Sequence, residues 1–212
     1  MINLLLSFPR SGNTWVRYVL EFVSQRPTAE CLVEHAQSNS VKKPCILSET
    51  NPTAKSIVVK RHRADHHWDT WGDDTRLIVL VRDPSEAVLR HHKDGNNIND
   101  CVSHYLHCLE FFNSFEGDKI LIYYEDLLSR SEEELNKILD FVKLEKNNRY
   151  KELISNLEDH KKASLKSYGA SQTYGDKNRP RHHSKMQPNK AKKVKNIIEQ
   201  SPLKREYLSR YF

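Results

Sequence analysis

The stretch INLLLSFPRSGNTW, residues 2–15, joins an apolar run to a glycine-containing loop near the start of the chain. The run up to Ser7 is typical of a β-strand that is buried on both faces. After the loop, residues 13–24 place apolar side chains on one face of a predicted helix: Val16, Val19, Leu20 and Val23. A strand, a tight loop and a helix in this order predict an anion-binding turn, because backbone amides at a helix N-terminus point toward a ligand.

The loop departs from the nucleotide-binding pattern G-x-x-x-x-G-K-[ST] at two positions. It keeps the second glycine as Gly12 and the hydroxyl as Thr14, but Ser7 replaces the first glycine and Asn13 replaces the lysine. A later apolar run is followed by Arg82, where a magnesium-supporting acid would be expected. Metal-assisted transfer from a nucleoside triphosphate is therefore disfavoured, and the sequence predicts no metal site.

Short apolar runs alternate with helical patterns along much of the chain. The predicted strands are residues 3–7, 56–60, 77–81 and 119–124, and helices are predicted over 13–24 and 99–115. Another helix is predicted to begin at Ser131, because Glu134 three residues later completes the pattern of a capping box. The alternation predicts a three-layer α/β fold, P-loop-NTPase-like, with a mainly parallel central sheet flanked by helices. Ligands of such sheets bind beyond the carboxyl ends of the strands.

The composition favours one soluble domain over residues 1–212, with 37% hydrophobic and 29% charged residues. No run of 18 apolar residues occurs, and the run at residues 2–6 is too short for the core of a signal peptide. We therefore expect a cytoplasmic protein that does not enter a membrane. The four cysteines form no C-x-x-C pair, so neither a zinc site nor a disulfide framework is predicted.

The net charge of +6 is concentrated in one stretch. Residues 160–195 contain eleven Lys and Arg against one Asp, a net charge of +10, so the rest of the chain carries −4. This composition predicts a basic segment that is mobile or covers a ligand. A nucleic-acid-binding module is an alternative interpretation, but the stretch lacks regularly interleaved aromatic residues, and we expect no nucleic acid partner.

Three segments together resemble the sulfotransferases that use 3′-phosphoadenosine 5′-phosphosulfate (PAPS). FPRSGNTW, residues 8–15, is similar to the family's 5′-phosphosulfate loop, and LIVLVRDPSEAVLRHHK, residues 77–93, is similar to its 3′-phosphate strand-turn-helix. YYEDLLSRSEEELNKILDFV, residues 123–142, resembles the family's Tyr-Glu-Asp segment with the helix that follows. The resemblance implies metal-independent transfer of a sulfuryl group from PAPS to an acceptor hydroxyl, which leaves 3′-phosphoadenosine 5′-phosphate (PAP). The sequence does not separate small molecules, saccharides and peptide tyrosines as acceptors, and nitrogen is an alternative acceptor atom.

The same resemblance implies roles for individual residues. VVKRH, residues 58–62, has the family's Lys-x-His form, which makes His62 the base and lets Lys60, with Arg10, stabilise charge on the leaving phosphate. Other histidines are possible substitutes for the base: His66, His67, His91 and His92. The implied donor site comprises Arg10, Ser11, Gly12, Asn13 and Thr14 at the 5′ end, Trp15 and Tyr124 at adenine, and Arg82, Arg90, Arg179, Arg181 and Lys185 at the 3′-phosphate.

Two parts of the sequence depart from the family pattern. Arg90 occupies the place of a family serine, and NRPRHHSK, residues 178–185, has the charge of the family's Arg-Lys-Gly segment without its glycine. A magnesium-dependent P-loop kinase therefore remains an alternative, as does the nucleic-acid-binding module.

Overall fold

The computed structural model describes residues 2–29, 46–47, 55–63, 74–92, 97–167 and 183–212. Its centre is a four-stranded sheet in the order β2-β1-β3-β4. The strands are β1 (Ile2–Ser7), β2 (Val59–Arg61), β3 (Thr75–Val81) and β4 (Lys119–Tyr123). The helices of the described residues are α1 (Asn13–Ser24), α2 (Pro84–His91), α3 (Ile98–Ser114), α4 (Tyr124–Ser129), α5 (Ser131–Phe141), α6 (Asn148–Ser155), α7 (Leu157–Ser167), α8 (His183–Met186) and α9 (Pro188–Glu199). A π-helical turn at Lys204–Leu208 and a 3₁₀ turn at Ser209–Tyr211 follow.

Every pairing within this sheet is parallel, which confirms the predicted α/β class. Leu4 and Leu6 of β1 belong to the core on the side of α2, α3 and α9, whereas Leu5 belongs to the core on the side of α1, α5 and α6. Alternate side chains of a strand point to opposite faces, so a strand covered on both sides needs a continuous apolar run. Because all four strands run in the same direction, their carboxyl ends lie at one edge of the sheet.

All four strands differ from the prediction at a boundary: β1 and β3 begin one and two residues earlier than predicted, and β2 and β4 differ for identifiable reasons. The second strand was predicted over 56–60 but comprises only Val59–Arg61, because the preceding backbone bonds elsewhere. The amide of Ile57 donates to the carbonyl of Pro27 at 2.9 Å, and a backbone bridge joins Ala29 to Val59. Tyr124, predicted as the last residue of a strand, is instead the first residue of α4.

The predicted start of α5 at Ser131 is confirmed, but the predicted capping box is wrong. The Ser131 hydroxyl donates to the carbonyl of Leu127 at 2.6 Å, so it satisfies the end of α4 rather than the start of α5. Glu134 accepts from the ammonium of Lys137 at 2.6 Å. Two helices separated by one residue compete for the same hydroxyl, and the carbonyls of α4 take it.

Much of the basic stretch 160–195 is helical and packed on the rest of the molecule. In α7, His160 Nδ1 lies 2.9 Å from the hydroxyl of Tyr18 on α1. In α9, Val194 and Ile198 are buried in the core beside α2 and α3. Residues 168–182, which include Arg179 and Arg181, lie outside the described residues, so a ligand-covering role stays a prediction for them. None of the described helices has the length and apolarity needed to cross a bilayer.

Candidate active site

The loop after β1 has two residues with left-handed backbone conformation, Arg10 with φ 73° and Gly12 with φ 96°. A side chain at Gly12 would be both strained and blocked. A Cβ atom there would lie 2.7 Å from Cδ2 of Tyr124, closer than real Cβ contacts come. The glycine is therefore needed for the close approach of the loop to the start of α4.

The loop presents backbone donors that have no partner among the described residues. The carbonyl of Gly12 accepts from the amides of Trp15 at 3.0 Å and Val16 at 3.3 Å, which begins α1. The amides of residues 11–14 donate to none of the described residues, and the Ser11 hydroxyl is also buried without a partner. Asn13 fixes this arrangement by donating from its side-chain amide to the hydroxyl of Ser7 at 3.0 Å. Unpaired amides at the N-terminus of a helix suit an anion.

We expect Gly12→Ala to weaken both the fold and the binding of PAP. A non-glycine residue held at this backbone conformation costs about 1–3 kcal/mol of stability, and the contact with Tyr124 must also be relieved by moving the loop. Thermal unfolding and calorimetric titration with PAP measure the two effects. Gln25→Ala is the matched control, because Gln25 is also left-handed (φ 55°) but caps the opposite end of α1. Unchanged PAP affinity in Gly12→Ala would contradict the need for a glycine.

Arg82 immediately follows β3 and joins the loop to Tyr124. Its Nη1 donates to the carbonyl of Arg10 at 2.9 Å, and its guanidinium carbon lies 4.2 Å from the centre of the Tyr124 ring. Its Nε is buried and has no hydrogen-bond partner among the described residues. The predicted donor-site residues at the ends of β1, β3 and β4 are thus brought together.

Arg90 on α2 lies close enough to Arg82 for the two charges to interact. Burial lowers the pKa of Arg90, and the positive charge of Arg82 is the second cause. Arg90 Nε is 3.4 Å from Oε2 of Glu86. Two neighbouring guanidinium groups in a partly buried place are stabilised by an anion that carries more than one charge.

Glu86 also holds the start of α8. Its Oε1 accepts from the backbone amide of Ser184 at 2.9 Å and from the Ser184 hydroxyl at 2.5 Å. Lys185 is the next residue and is exposed. Lys185 therefore belongs to a helix whose start is bonded to Glu86, the residue that also contacts Arg90. The role of Lys185 at the 3′-phosphate stays a prediction.

His62 follows β2 and is held in one orientation. Its Nδ1 lies 2.9 Å from the carbonyl oxygen of Ser7 at the end of β1. A carbonyl only accepts, so Nδ1 carries the proton and Nε2 carries the lone pair. Burial lowers the pKa of His62 to about 4, and the positive charge of Lys60 is the second cause. The imidazole is therefore neutral at pH 7, with Nε2 able to accept a proton.

Lys60 lies two residues before His62, so the Lys-x-His spacing places both side chains on the same side of the extended chain. Of the possible substitutes for the base, His91 lies close enough to His62 for its charge to affect the pKa of His62. The ring centre of His91 is 5.2 Å from that of Phe8. His92 caps the C-terminus of α2, and its Nδ1 is buried without a hydrogen-bond partner. His66 and His67 lie outside the described residues.

We expect the imidazole of His62 to titrate near pH 4 in the free protein. Bound PAP should raise this pKa, because its 5′-phosphate offsets the charge of Lys60. Proton-detected NMR across pH 3.5–8, with His62→Gln to assign the signal, measures both values. A pKa near its ordinary 6.5 in the free protein would contradict the buried, cation-adjacent site.

The lowered pKa of His62 makes the stability of the fold depend on pH. The unfolded chain takes up the proton of His62 near pH 6.5, whereas the folded chain takes it up only near pH 4. Between these values the unfolded state binds more protons, so the free energy of unfolding falls as the pH falls. His62→Gln should weaken this dependence in that window.

Trp15 lies in the core below the loop. Its side chain is only 7% exposed, and its ring stacks on Tyr18 with 5.9 Å between the ring centres. Its Nε1 is buried, and none of the described residues offers it a hydrogen-bond partner. The structure therefore gives Trp15 a packing role, and contact with adenine stays a prediction.

Sequence reasoning missed several residues that support the site from behind. Tyr105 and His104 of α3 contact the backbone of Arg82 and His62, and no local pattern indicates this. Glu125 belongs to the Tyr-Glu-Asp segment, which is a usable signal. Its Oε1 accepts from the amide of Asp83 at 3.0 Å, and its Oε2 accepts from the hydroxyl of Tyr211 at 2.6 Å.

No protein-family model matches the chain. A WSCD family member of Drosophila melanogaster is 28% identical over 166 residues, which cover 66% of this chain and 50% of that protein. A WSCD family member of Aedes aegypti is 28% identical over 166 residues, with the same coverage of 66% and 50%. The chain spans about half the length of these curated relatives.

Solved structures with a similar fold are sulfotransferases and a retinol dehydratase. Mouse sulfotransferase SULT7A1, complexed with PAP, aligns with a TM-score of 0.61 at 12% identity and covers 100% of this chain and 89% of its own. Retinol dehydratase, in complex with androsterone and PAP, aligns with a TM-score of 0.55 at 16% identity over 94% of this chain and 81% of its own. The sulfotransferase domain of the Synechococcus olefin synthase aligns at 0.53 and 17% identity over 95% and 88%. The chain therefore has the sulfotransferase fold, as the sequence predicted.

Proposed function

We propose that the protein is a sulfotransferase that moves the sulfuryl group of PAPS to an acceptor hydroxyl. The observation that carries the proposal is the position of His62 beside the loop. A neutral imidazole with a fixed tautomer follows β2 and contacts the last residue of β1. The loop after β1 carries amides that are unpaired among the described residues. Strand β3, which pairs with β1, is followed directly by Arg82, which has Arg90 as its neighbour.

The residues present fit a donor with anionic groups at both ends. The amides of residues 11–14 and the buried Ser11 hydroxyl would hold the 5′-phosphosulfate, and Arg10 would contribute its charge there. The unpartnered Nε of Arg82 and the neighbouring Arg90 would hold the 3′-phosphate. Tyr124, which lies between Gly12 and Arg82, would border the adenosine.

In the reaction, Nε2 of His62 takes the proton of the acceptor hydroxyl. The acceptor oxygen forms a bond to sulfur as the bond between sulfur and the bridging oxygen of the donor breaks, and that oxygen keeps the electron pair. Lys60 and the loop amides stabilise the negative charge that builds on the departing phosphate. The low pKa keeps His62 unprotonated at neutral pH in the free protein. A pKa nearer the working pH makes a stronger proton acceptor, so the rise expected on binding the donor would favour catalysis.

The acceptor is proposed by class. Androsterone and retinol occur in solved structures of retinol dehydratase, which has a similar fold, and this supports a small-molecule acceptor. A saccharide is the other class to test. A screen of both classes with sulfur-labelled PAPS, read out as label transferred to the acceptor, identifies which is used.

Calorimetry separates this function from that of a magnesium-dependent kinase. We expect PAP to bind in the presence of EDTA, and to bind more tightly than ATP with Mg²⁺. Adenosine 5′-phosphate, which lacks the 3′-phosphate, is the matched control ligand and should bind more weakly than PAP. Tighter binding of ATP with Mg²⁺ than of PAP would favour the kinase, and tighter binding of single-stranded nucleic acid would favour the nucleic-acid-binding module.

A further inference from the structure

Two consecutive residues of α3, His104 and Tyr105, contact the backbone of the two candidate site residues, His62 and Arg82, which follow different strands. Nε2 of His104 lies 2.5 Å from the backbone carbonyl oxygen of His62. The hydroxyl of Tyr105 donates to the backbone carbonyl of Arg82 at 2.6 Å. One helix therefore touches the segment after β2 and the segment after β3.

The geometry of a helix explains how neighbouring residues reach separate strands. Consecutive side chains on a helix diverge by about 100°, so His104 and Tyr105 point in different directions from one backbone. The strand between them in the sheet is β1, and Phe8 directly follows it. The ring centre of Phe8 is 5.1 Å from that of His104 and 5.5 Å from that of Tyr105. Three adjacent strand ends thus rest on one turn of α3.

These contacts lie in a closely packed region. Phe8 is 1% exposed and Tyr105 is 2% exposed. Burial raises the pKa of Tyr105 well above its ordinary value, so its hydroxyl stays protonated and donates. Both accepting carbonyls belong to residues just beyond the paired part of a strand, where the sheet no longer holds the backbone.

We propose that His104 and Tyr105 are positioning residues that set the separation between the base, His62, and the arginine of the 3′-phosphate, Arg82. The inference rests on the proposed function. His104 acts through the backbone of His62, and Tyr105 acts through the backbone of Arg82. Neither is a catalytic residue, because each contacts another residue and not the reacting atoms.

The role of Tyr105 is tested with Tyr105→Phe, which removes one hydroxyl and keeps the ring against Phe8. We expect the affinity for PAP to fall about threefold to tenfold, the size of one neutral hydrogen bond, with a smaller change for adenosine 5′-phosphate. Tyr150→Phe is the matched control, because the buried Tyr150 donates to Oδ1 of Asn136 at 2.8 Å on the other side of the sheet. It should leave the ratio of the two affinities unchanged.

The role of His104 is tested by measuring the tautomer of His62. This measurement can be made without an acceptor substrate. In the wild type, ¹⁵N shifts of the imidazole should report one tautomer with the proton on Nδ1. His104→Leu should yield a mixture of tautomers, while His104→Gln, which keeps a donor near the place of Nε2, should restore the single one. His107→Leu, an exposed change on the same helix, is the control and should have no effect.

The outcomes separate this inference from the proposed function. Failure of the wild-type protein to bind PAP overturns both, and the first titration shows it before any variant is made. If the wild type binds PAP, an unchanged affinity ratio in Tyr105→Phe together with a single tautomer in His104→Leu overturns the positioning role alone. Equal losses for PAP and adenosine 5′-phosphate, accompanied by a lower unfolding temperature, would assign Tyr105 to general packing and also overturn it.

Discussion

His62→Ala is expected to lower turnover by about 10² to 10⁴, the usual contribution of a positioned general base, while the affinity for PAP stays unchanged. The separation follows from the geometry. In the proposed function the loop amides and Arg82 hold the donor, whereas Nε2 of His62 takes part in no hydrogen bond with the described residues and is left for the acceptor. Steady-state kinetics with the acceptor identified by the labelled-donor screen, combined with calorimetry for PAP, measure the two quantities.

The control for this variant is His107→Ala, since His107 is an exposed histidine on α3. It should keep wild-type turnover. The activity left in His62→Ala should rise with pH, because an acceptor that ionises by itself no longer needs a base. Near-wild-type turnover in His62→Ala would remove His62 from the mechanism. His91, whose charge acts on His62, would then be tested next.

Arg82→Ala is expected to weaken PAP binding by about 1.5–3 kcal/mol, or roughly tenfold to a hundredfold, as for a hydrogen bond to a charged group. Arg76→Ala is a closely matched control. Arg76 is also on β3, its Nη1 donates to the carbonyl of Phe141 at 2.6 Å, and its guanidinium lies 5.7 Å from the Phe141 ring centre. It lies toward the opposite end of β3 and should not affect PAP binding.

Arg82 also holds the carbonyl of Arg10, so its loss can act on either end of the nucleotide. Titration with adenosine 5′-phosphate distinguishes the two effects. Loss of affinity for PAP alone assigns Arg82 to the 3′-phosphate. An equal loss for both nucleotides would mean that Arg82 acts by supporting the 5′ loop, and PAP affinity within twofold of the wild type would leave it only a structural residue.

The strand ends that carry the candidate site residues could be predicted, because their positions in the chain depend on local patterns. Apolar runs with no alternation require strands covered on both faces, and such strands form parallel sheets. Parallel strands bring their carboxyl ends to one edge, so Gly12, His62, Arg82 and Tyr124, each at or after the predicted end of a strand, are expected at the same edge. The structure places all four there.

The contacts of individual side chains could not be predicted where neighbouring elements offer alternative partners. Ser131 and Glu134 have the spacing of a capping box, but α4 ends only two residues before Ser131 and one of its carbonyls accepts from the Ser131 hydroxyl. The loop motif predicts Trp15 at the adenine, and that contact stays a prediction; what no local pattern indicated is that its ring stacks on Tyr18 in the core. A local pattern states which bonds a side chain can make, whereas the neighbouring elements decide which bond it makes.

The sequence by itself determined the α/β class, the parallel sheet and the identity of the residues at its strand ends, because these follow from periodicity and residue type. Only the tertiary structure decided the chemical state of those residues. The tautomer of His62 depends on the carbonyl of Ser7, 55 residues away in the chain, and its pKa depends on burial. The support of Arg82 by Tyr105 depends on where α3 packs. Hydrogen bonding and desolvation act over a few ångströms of space, so they are set when distant segments meet.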